Sequence, residues 1–424
     1  MPPTSAQPSP SDKHRVVVVG AGIVGTVSAL YLRRDGHEVT LIDRDDPGQG
    51  CSFGNAGLLA RSSFAPIAGP DTLWNAPKWL LDPEGPLSIR WRYLPKLLPW
   101  LIRFVLAGLK NNVKTDAAAL HVLTDPCVDL YRKLADEAGR PDLVKEGDYL
   151  QVYRHKAEFE KARGDFELRR EFGMRIDEIG GDEIRNLEPG LSPDYEYAYH
   201  VHDHGFTVNP EGLVQAIADM FVSEGGKIVK ADVVDIAGEG RGPHNVVTSN
   251  GSFECDRMVI AAGAFSHRLA AKLGINVPLE TERGYHITCE NPENNLTRPV
   301  MEGDCKFLTT PMAMGLRFAG TVELGGVDAP MNERRIRMLE RQAKRMVPGL
   351  VTETATSWMG FRPTFPDSLP IIGPAPRHPK VVFAFGHQHL GLTCAPKTGQ
   401  LVADLVSGRA PNVDIMPYRA ERFG

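Results

Sequence analysis

Four consecutive valines, Val16–Val19, run straight into Gly20-Ala21-Gly22-Ile23-Val24-Gly25, and a second apolar stretch downstream ends in Asp43-Arg44. Each part has a physical job. A short, continuous apolar run bounded by glycine suits a strand buried on both faces of a parallel sheet. Gly20 permits the tight turn out of that strand, Gly22 lets the backbone approach a pyrophosphate, and Gly25 lets the next helix pack closely on the strand. The helix, expected over Ile23 to about Arg34 and stopped by Gly36, turns its free amides and positive dipole end toward phosphate. Asp43, at the end of the second strand, offers a carboxylate to the two hydroxyls of an adenosine ribose. A glycine triplet alone is a weak signal; strand, helix and acid in this order predict a dinucleotide site. The acid argues against a phosphorylated ribose and so against NADP, while FAD and NAD both stay open.

With 424 residues there is room for a large core and two domains. A net charge of −5 implies no polyanionic partner, so no nucleic acid is expected. The six cysteines are scattered without a C-x-x-C pair, which predicts neither a zinc site nor a disulfide framework. No metal is expected, and reduced thiols fit the cytoplasm. Residues 1–12, rich in Pro and Ser, read as a disordered tail and not as a signal peptide. No apolar run of about 18 residues is present to span a membrane. The most apolar segment, 94–109, is interrupted by Pro95, Lys96, Pro99 and Arg103. It reads either as a buried helix of the second domain or as an interfacial helix in peripheral contact with the inner face of a membrane.

The loop after Asp43 contains Ser52-Phe-Gly-Asn55-Ala56-Gly57-Leu58. Its small residues permit unusual backbone angles and let a flat ligand lie against it. Helical periodicity follows around 117–138, Gly147–Tyr153 alternates like a strand, and 156–173 is charged and helical. A βαβ pattern returns near 205: Asn209-Pro starts a helix that ends at Gly225-Gly226, and Lys227-Ile-Val-Lys starts a strand. Another apolar strand, from Asp256, ends in Ala261-Ala262-Gly263, small enough for a second close approach to a cofactor. Segments within 279–326 alternate like an antiparallel sheet. The fold class predicted is α/β. Residues 13–62, 205–275 and 355–424 form a discontinuous cofactor domain with a parallel sheet and helices. Residues 63–204 and 276–354 form a substrate domain with a largely antiparallel sheet and helices.

Near the C-terminus stands Gly360-Phe-Arg362-Pro363-Thr-Phe-Pro366-Asp367, followed by Gly386-His387-Gln-His389-Leu390-Gly391-Leu392-Thr393 and a helix expected over 395–406. Pro363 restricts the backbone at Arg362, so the guanidinium is carried on a stiff segment. A fixed arginine suits two-pronged binding of a carboxylate; a surface ion pair is the competing reading. The glycine-histidine loop precedes a helix N-terminus, where amides stabilise negative charge.

In this order, the segments resemble the D-amino-acid-oxidase-like family of FAD-dependent oxidoreductases, from about residue 15 to 408 and more loosely in the middle. The likeness is greatest to its bacterial D-amino acid dehydrogenase branch, through Ser52–Gly57, Arg317-Phe-Ala-Gly-Thr-Val-Glu323, Arg362-Pro with Pro366-Asp367, and Gly386–Thr393. The resemblance implies a Rossmann-like FAD domain of the glutathione-reductase type. It also implies FAD as cofactor and Arg362 as the grip on a substrate carboxylate, with the loops Ser52–Leu58 and Leu390, Gly391, Leu392 and Thr393 around the flavin ring. Val233 matches the strand that meets adenine, and Ala262 and Gly263 the second approach. Covalent-flavin relatives carry their linking cysteine where this chain has Gly360, so non-covalent FAD is expected. His389 departs from the small or hydroxyl residue usual in the branch. It stands as a candidate pocket residue or as hydrogen-bonded structure.

Oxidising an amino acid at its alpha carbon requires a fixed carboxylate, a neutral amine and an electron acceptor. Arg362 is the expected anchor, Tyr285 a second contact through its hydroxyl, and His389 or solvent the proton acceptor. The expected reaction is dehydrogenation of a D-amino acid, with proline or hydroxyproline types as candidates, passing electrons to a quinone or other carrier. The alternatives are an oxygen-using glycine or sarcosine-type oxidase and a flavin-bearing subunit without turnover.

Overall fold

The four valines form the strand Arg15–Val19 at the middle of a six-stranded sheet in the computed structural model of the protein, which describes residues 13–110, 113–238, 244–290 and 296–424. The tail expected over 1–12 lies outside the described residues. In spatial order the strands are Ile371–Ala375, His378–Phe385, Arg257–Ile260, Arg15–Val19, Glu38–Asp43 and Lys227–Lys230. All are parallel except the edge strand Ile371–Ala375. Val16 and Val18 enter one core with the helices Ile23–Arg34, Pro210–Ser223 and Gly391–Val406, whereas Val17 and Val19 enter another beneath the three-stranded sheet of 233–255. A strand buried on both faces has no polar side to show, which is why its sequence does not alternate.

The second layer is a ten-stranded, mostly antiparallel sheet. Its central strands run Thr356–Thr364, Glu280–Cys289, Gly315–Leu324, Phe307–Met312, Val300–Glu302, Val144–Tyr153 and Tyr197–Thr207. The helix Glu333–Met346 covers one face: Ile336, Leu339, Ala343 and Met346 pack there against Tyr285, Ile287, Leu316 and Phe318.

Domain edges differ from the expected ones. Strand Thr356–Thr364, which carries Arg362, pairs with Glu280–Cys289 in the second sheet, so the chain crosses back to the cofactor layer only after Thr364. Leu58–Leu59 likewise pairs with Phe206 and Gly205 in the second sheet. Conversely, the helix Cys127–Glu137 contributes Tyr131 and Leu134 to the core of the first sheet. Such crossings come from long-range pairing, which local pattern does not encode.

The C-terminal helix starts at Gly391, earlier than the expected 395, although Pro396 lies inside it. Proline removes one helix amide and leaves the carbonyl four residues back without its partner. That carbonyl is Leu392 O, and the buried Tyr131 hydroxyl donates to it at 2.6 Å. A tyrosine from another helix thus completes the turn.

Helix Leu94–Leu109 is half inside. Leu97 and Trp100 are buried against Leu324, whereas Leu98, Ile102, Leu106 and Leu109 face outward. No helix among the described residues is long and apolar enough to cross a membrane.

Candidate active site

Because the helices after parallel strands return across the sheet, their N-termini gather at its carboxyl edge. There Gly20–Val24, Asp43 and Arg44, Val233, Ala262 and Gly263, and Leu390–Thr393 all border one cavity of about 1620 Å³ that extends down to Arg362 on the second sheet.

The nucleotide end is shaped by missing side chains. Gly20 has φ of 108° and lies so near the next strand end that a Cβ would sit 2.5 Å from Ala261 O. At Gly25 a Cβ would sit 1.8 Å from Gly20 O, which prevents the helix from seating. Gly22 is not crowded: its Cβ would touch Ser52 Oγ at 3.6 Å, so its bareness keeps room for a ligand and not for the fold. Asp43 accepts from Ala21 N at 2.6 Å and Asp45 N at 3.1 Å, which fixes the carboxylate at the strand tip with lone pairs to spare for ribose. Arg44 lies over the Phe265 ring at 4.3 Å and borders the same end. These residues fit an adenine dinucleotide.

The loop 52–58 is clamped from both layers. Ser52 Oγ accepts from Ile23 N at 3.0 Å, at the first turn of the dinucleotide helix. Asn55 Oδ1 accepts from Gly57 N at 2.8 Å, and Thr310 donates to Ala56 O at 2.7 Å. Arg317, buried in the second sheet, donates to Phe53 O at 2.9 Å and Asn55 O at 2.8 Å. Burial pulls its pKa down to about 10. Its role as a loop clamp was not visible in sequence, because its partners are carbonyls some 260 positions away.

Arg362 borders the other end of the cavity, half-buried. Its guanidinium crosses the neighbouring strand at Gly284, where a Cβ would stand 2.5 Å from the guanidinium carbon, and its Nη1 donates to Thr321 O at 3.0 Å. Thr321 sits in the left-handed region at φ 61°, an outlier for a β-branched residue, beside a bulge between its strand and Glu280–Cys289. Among the described residues no ion pair holds Arg362, so its charge remains free for an anion. His389 borders the same cavity with its side chain exposed there, and partial desolvation and the positive Arg362 both push its pKa down.

The structure corrects the part expected of Tyr285. The strand register sets Arg362 opposite Glu282 and Tyr285 opposite Met359, an odd offset that places Tyr285 on the other face of the sheet. The tyrosine edges the cavity, but its hydroxyl donates to Glu323, which also accepts from Arg90 and Asn332. It belongs to a buried network, not to the carboxylate grip. Glu282 is not evident from sequence; the pairing of Glu280–Cys289 with Thr356–Thr364 brings it opposite Arg362.

Away from the cavity, Asp148, His200 and His202 bring possible ligand atoms within 4.8 Å of one another. They are already engaged, Asp148 by Arg298 at 2.7 Å and His202 by Asp177 at 2.8 Å.

A family model described as DAO, FAD dependent oxidoreductase, matches residues 15–405. The D-amino-acid oxidase of Bradyrhizobium diazoefficiens is 41% identical over 421 residues, which cover 98% of this chain and 100% of that one. The D-amino acid dehydrogenase of Paramagnetospirillum magneticum is 32% identical over 432 residues, with 96% and 99% covered. Glycine oxidase from Geobacillus kaustophilus superimposes with a TM-score of 0.74 at 23% identity, over 96% of this chain and 99% of that one. At that identity the likeness speaks for the fold.

Proposed function

The chain belongs to the DAO family of FAD-dependent oxidoreductases, and from that premise we propose that it oxidises a D-amino acid at its alpha carbon, with cyclic amines of the proline or hydroxyproline type among the candidates. The observation that carries this reading is Arg362: a guanidinium held by Gly284 and Thr321, free of ion pairs among the described residues, in a cavity continuous with the dinucleotide cradle. When bound, FAD supplies the acceptor of two electrons. FAD is held without a covalent bond: at Gly360, where covalent relatives carry cysteine, a Cβ would stand 1.9 Å from the Trp358 ring. The chain does the positioning. Arg362 makes charge-assisted bonds to the carboxylate and so fixes the alpha carbon. The loops 52–58 and 390–393 flank the flavin.

Electrons pass on to a quinone or another carrier. The support is the outward row Leu98, Ile102, Leu106 and Leu109, with exposed Lys96 and Arg103 on the same helix. Such a face suits shallow contact with an anionic membrane surface. A second reading, oxygen as acceptor, is favoured by the Bradyrhizobium relative named an oxidase. Steady-state assays with D- and L-amino acids, glycine and N-methyl amines test the proposal, with a quinone analogue or air as acceptor and peroxide measured. Turnover confined to L-amino acids or N-methyl amines contradicts the substrate; stoichiometric peroxide in air contradicts the carrier.

A further inference from the structure

Arg362 has a counterpart. Glu282 lies directly opposite it in the strand register, on the same face of the sheet, and borders the same cavity while only 5% exposed. No ion pair holds Glu282 among the described residues. The groups around it are Arg362 across the strand, Glu280 two residues back and Thr364 on the adjoining strand. Glu280 is itself engaged by Tyr93 at 3.2 Å. A carboxylate this deep is costly unless its charge is balanced or discharged when needed.

We propose that Glu282 is the internal proton acceptor for the substrate's ammonium group. The proposal rests on the reading of Arg362 as the carboxylate anchor. The charges explain why an acid belongs beside an arginine meant for an anion. Before binding, the buried site holds one positive group, Arg362, and one negative group, Glu282. An amino acid arrives as a zwitterion. Its carboxylate pairs with Arg362, and one proton passes from the ammonium nitrogen to a Glu282 oxygen: one N–H bond breaks and one O–H bond forms. The site again holds one positive and one negative group, Arg362 and the substrate carboxylate. The amine keeps the lone pair that formation of a C=N bond requires. Burial raises Glu282 toward proton uptake, and Arg362, once engaged by the substrate, no longer opposes it.

A carboxylate without an amine brings no proton, so it must draw one from solvent. Binding of propionate to the holoenzyme, followed by flavin absorbance and by calorimetry in two buffers of different ionisation heat, is therefore expected to take up one proton. Its Kd is expected to rise about tenfold per pH unit between pH 7 and 9. In Glu282→Gln, propionate binding should be independent of pH, and efficiency toward the best amino acid should rise with pH as the free-amine fraction does. Native binding without proton uptake overturns the proposal, whether or not the variant folds. So does uptake that survives in Glu282→Gln, or that disappears in His389→Ala. Equal propionate affinity in Arg362→Ala instead removes the anchor, and the absence of any binding to the native holoenzyme removes both.

Discussion

Arg362 reaches its working position by lying across Gly284, so the glycine is as much part of the site as the arginine. Charge-assisted bonds contribute roughly 1.5–3 kcal/mol each, so Arg362→Ala should lower kcat/KM at least about a hundredfold, much of it through KM. Lysine should restore only part, because a point charge cannot reproduce the planar fork. FAD content should stay near native. Gly284→Ala should act through the arginine: its methyl would stand 2.5 Å from the guanidinium carbon, and displacement on the scale of about 1 Å can cost up to about a hundredfold in rate. Native kinetics in Gly284→Ala would contradict the placement. Arg362 was legible in sequence because Pro363 and the glycine-histidine loop flank it. Gly284 and Glu282 were not, because only the register with Thr356–Thr364 shows which residues stand opposite the arginine.

Among elements, the C-terminal helix depends on a repair. Pro396 frees Leu392 O at the first turn, beside the residues assigned to the flavin, and Tyr131 supplies the missing donor. Tyr131→Phe should leave that buried carbonyl unsatisfied and cost about 1–3 kcal/mol of stability, measured by urea denaturation; an unchanged midpoint would contradict the repair. The dinucleotide turn makes a second prediction. Asp43→Ala should weaken FAD retention, and Gly25→Val should abolish it because its side chain collides with Gly20 O. Flavin occupancy after gel filtration decides both. This element is legible almost to the residue, since strand, turn and helix are adjacent in sequence. The repaired helix was read late by several residues, because a proline argues against a helix unless a distant hydroxyl is known.

At the scale of the molecule, three buried histidines set an acid limit. Burial lowers His204 to about 4 and His286 and His387 to about 3, against 6.5 in the unfolded chain. Across the window between these values the unfolded state binds more protons than the folded one. Stability should therefore rise with pH from about 4 to 6.5 and fall on acidification. A thermal midpoint that does not change over that range would contradict it. The two-layer plan was legible from the change between continuous apolar strands and alternating ones. The crossings at Leu58 and Thr364 were not, because long-range pairing decides them. Those crossings bring Arg362 and the residues around Gly20–Val24 to the walls of one cavity. The most direct test of that union is anaerobic mixing of the yellow holoenzyme with a panel of D- and L-amino acids and N-methyl amines. D-amino acids should bleach the native flavin, and Arg362→Ala, with full FAD content, should stay yellow at the same concentrations; equal bleaching of both proteins, or no bleaching of the native one by any amino acid, would contradict a carboxylate anchor at Arg362.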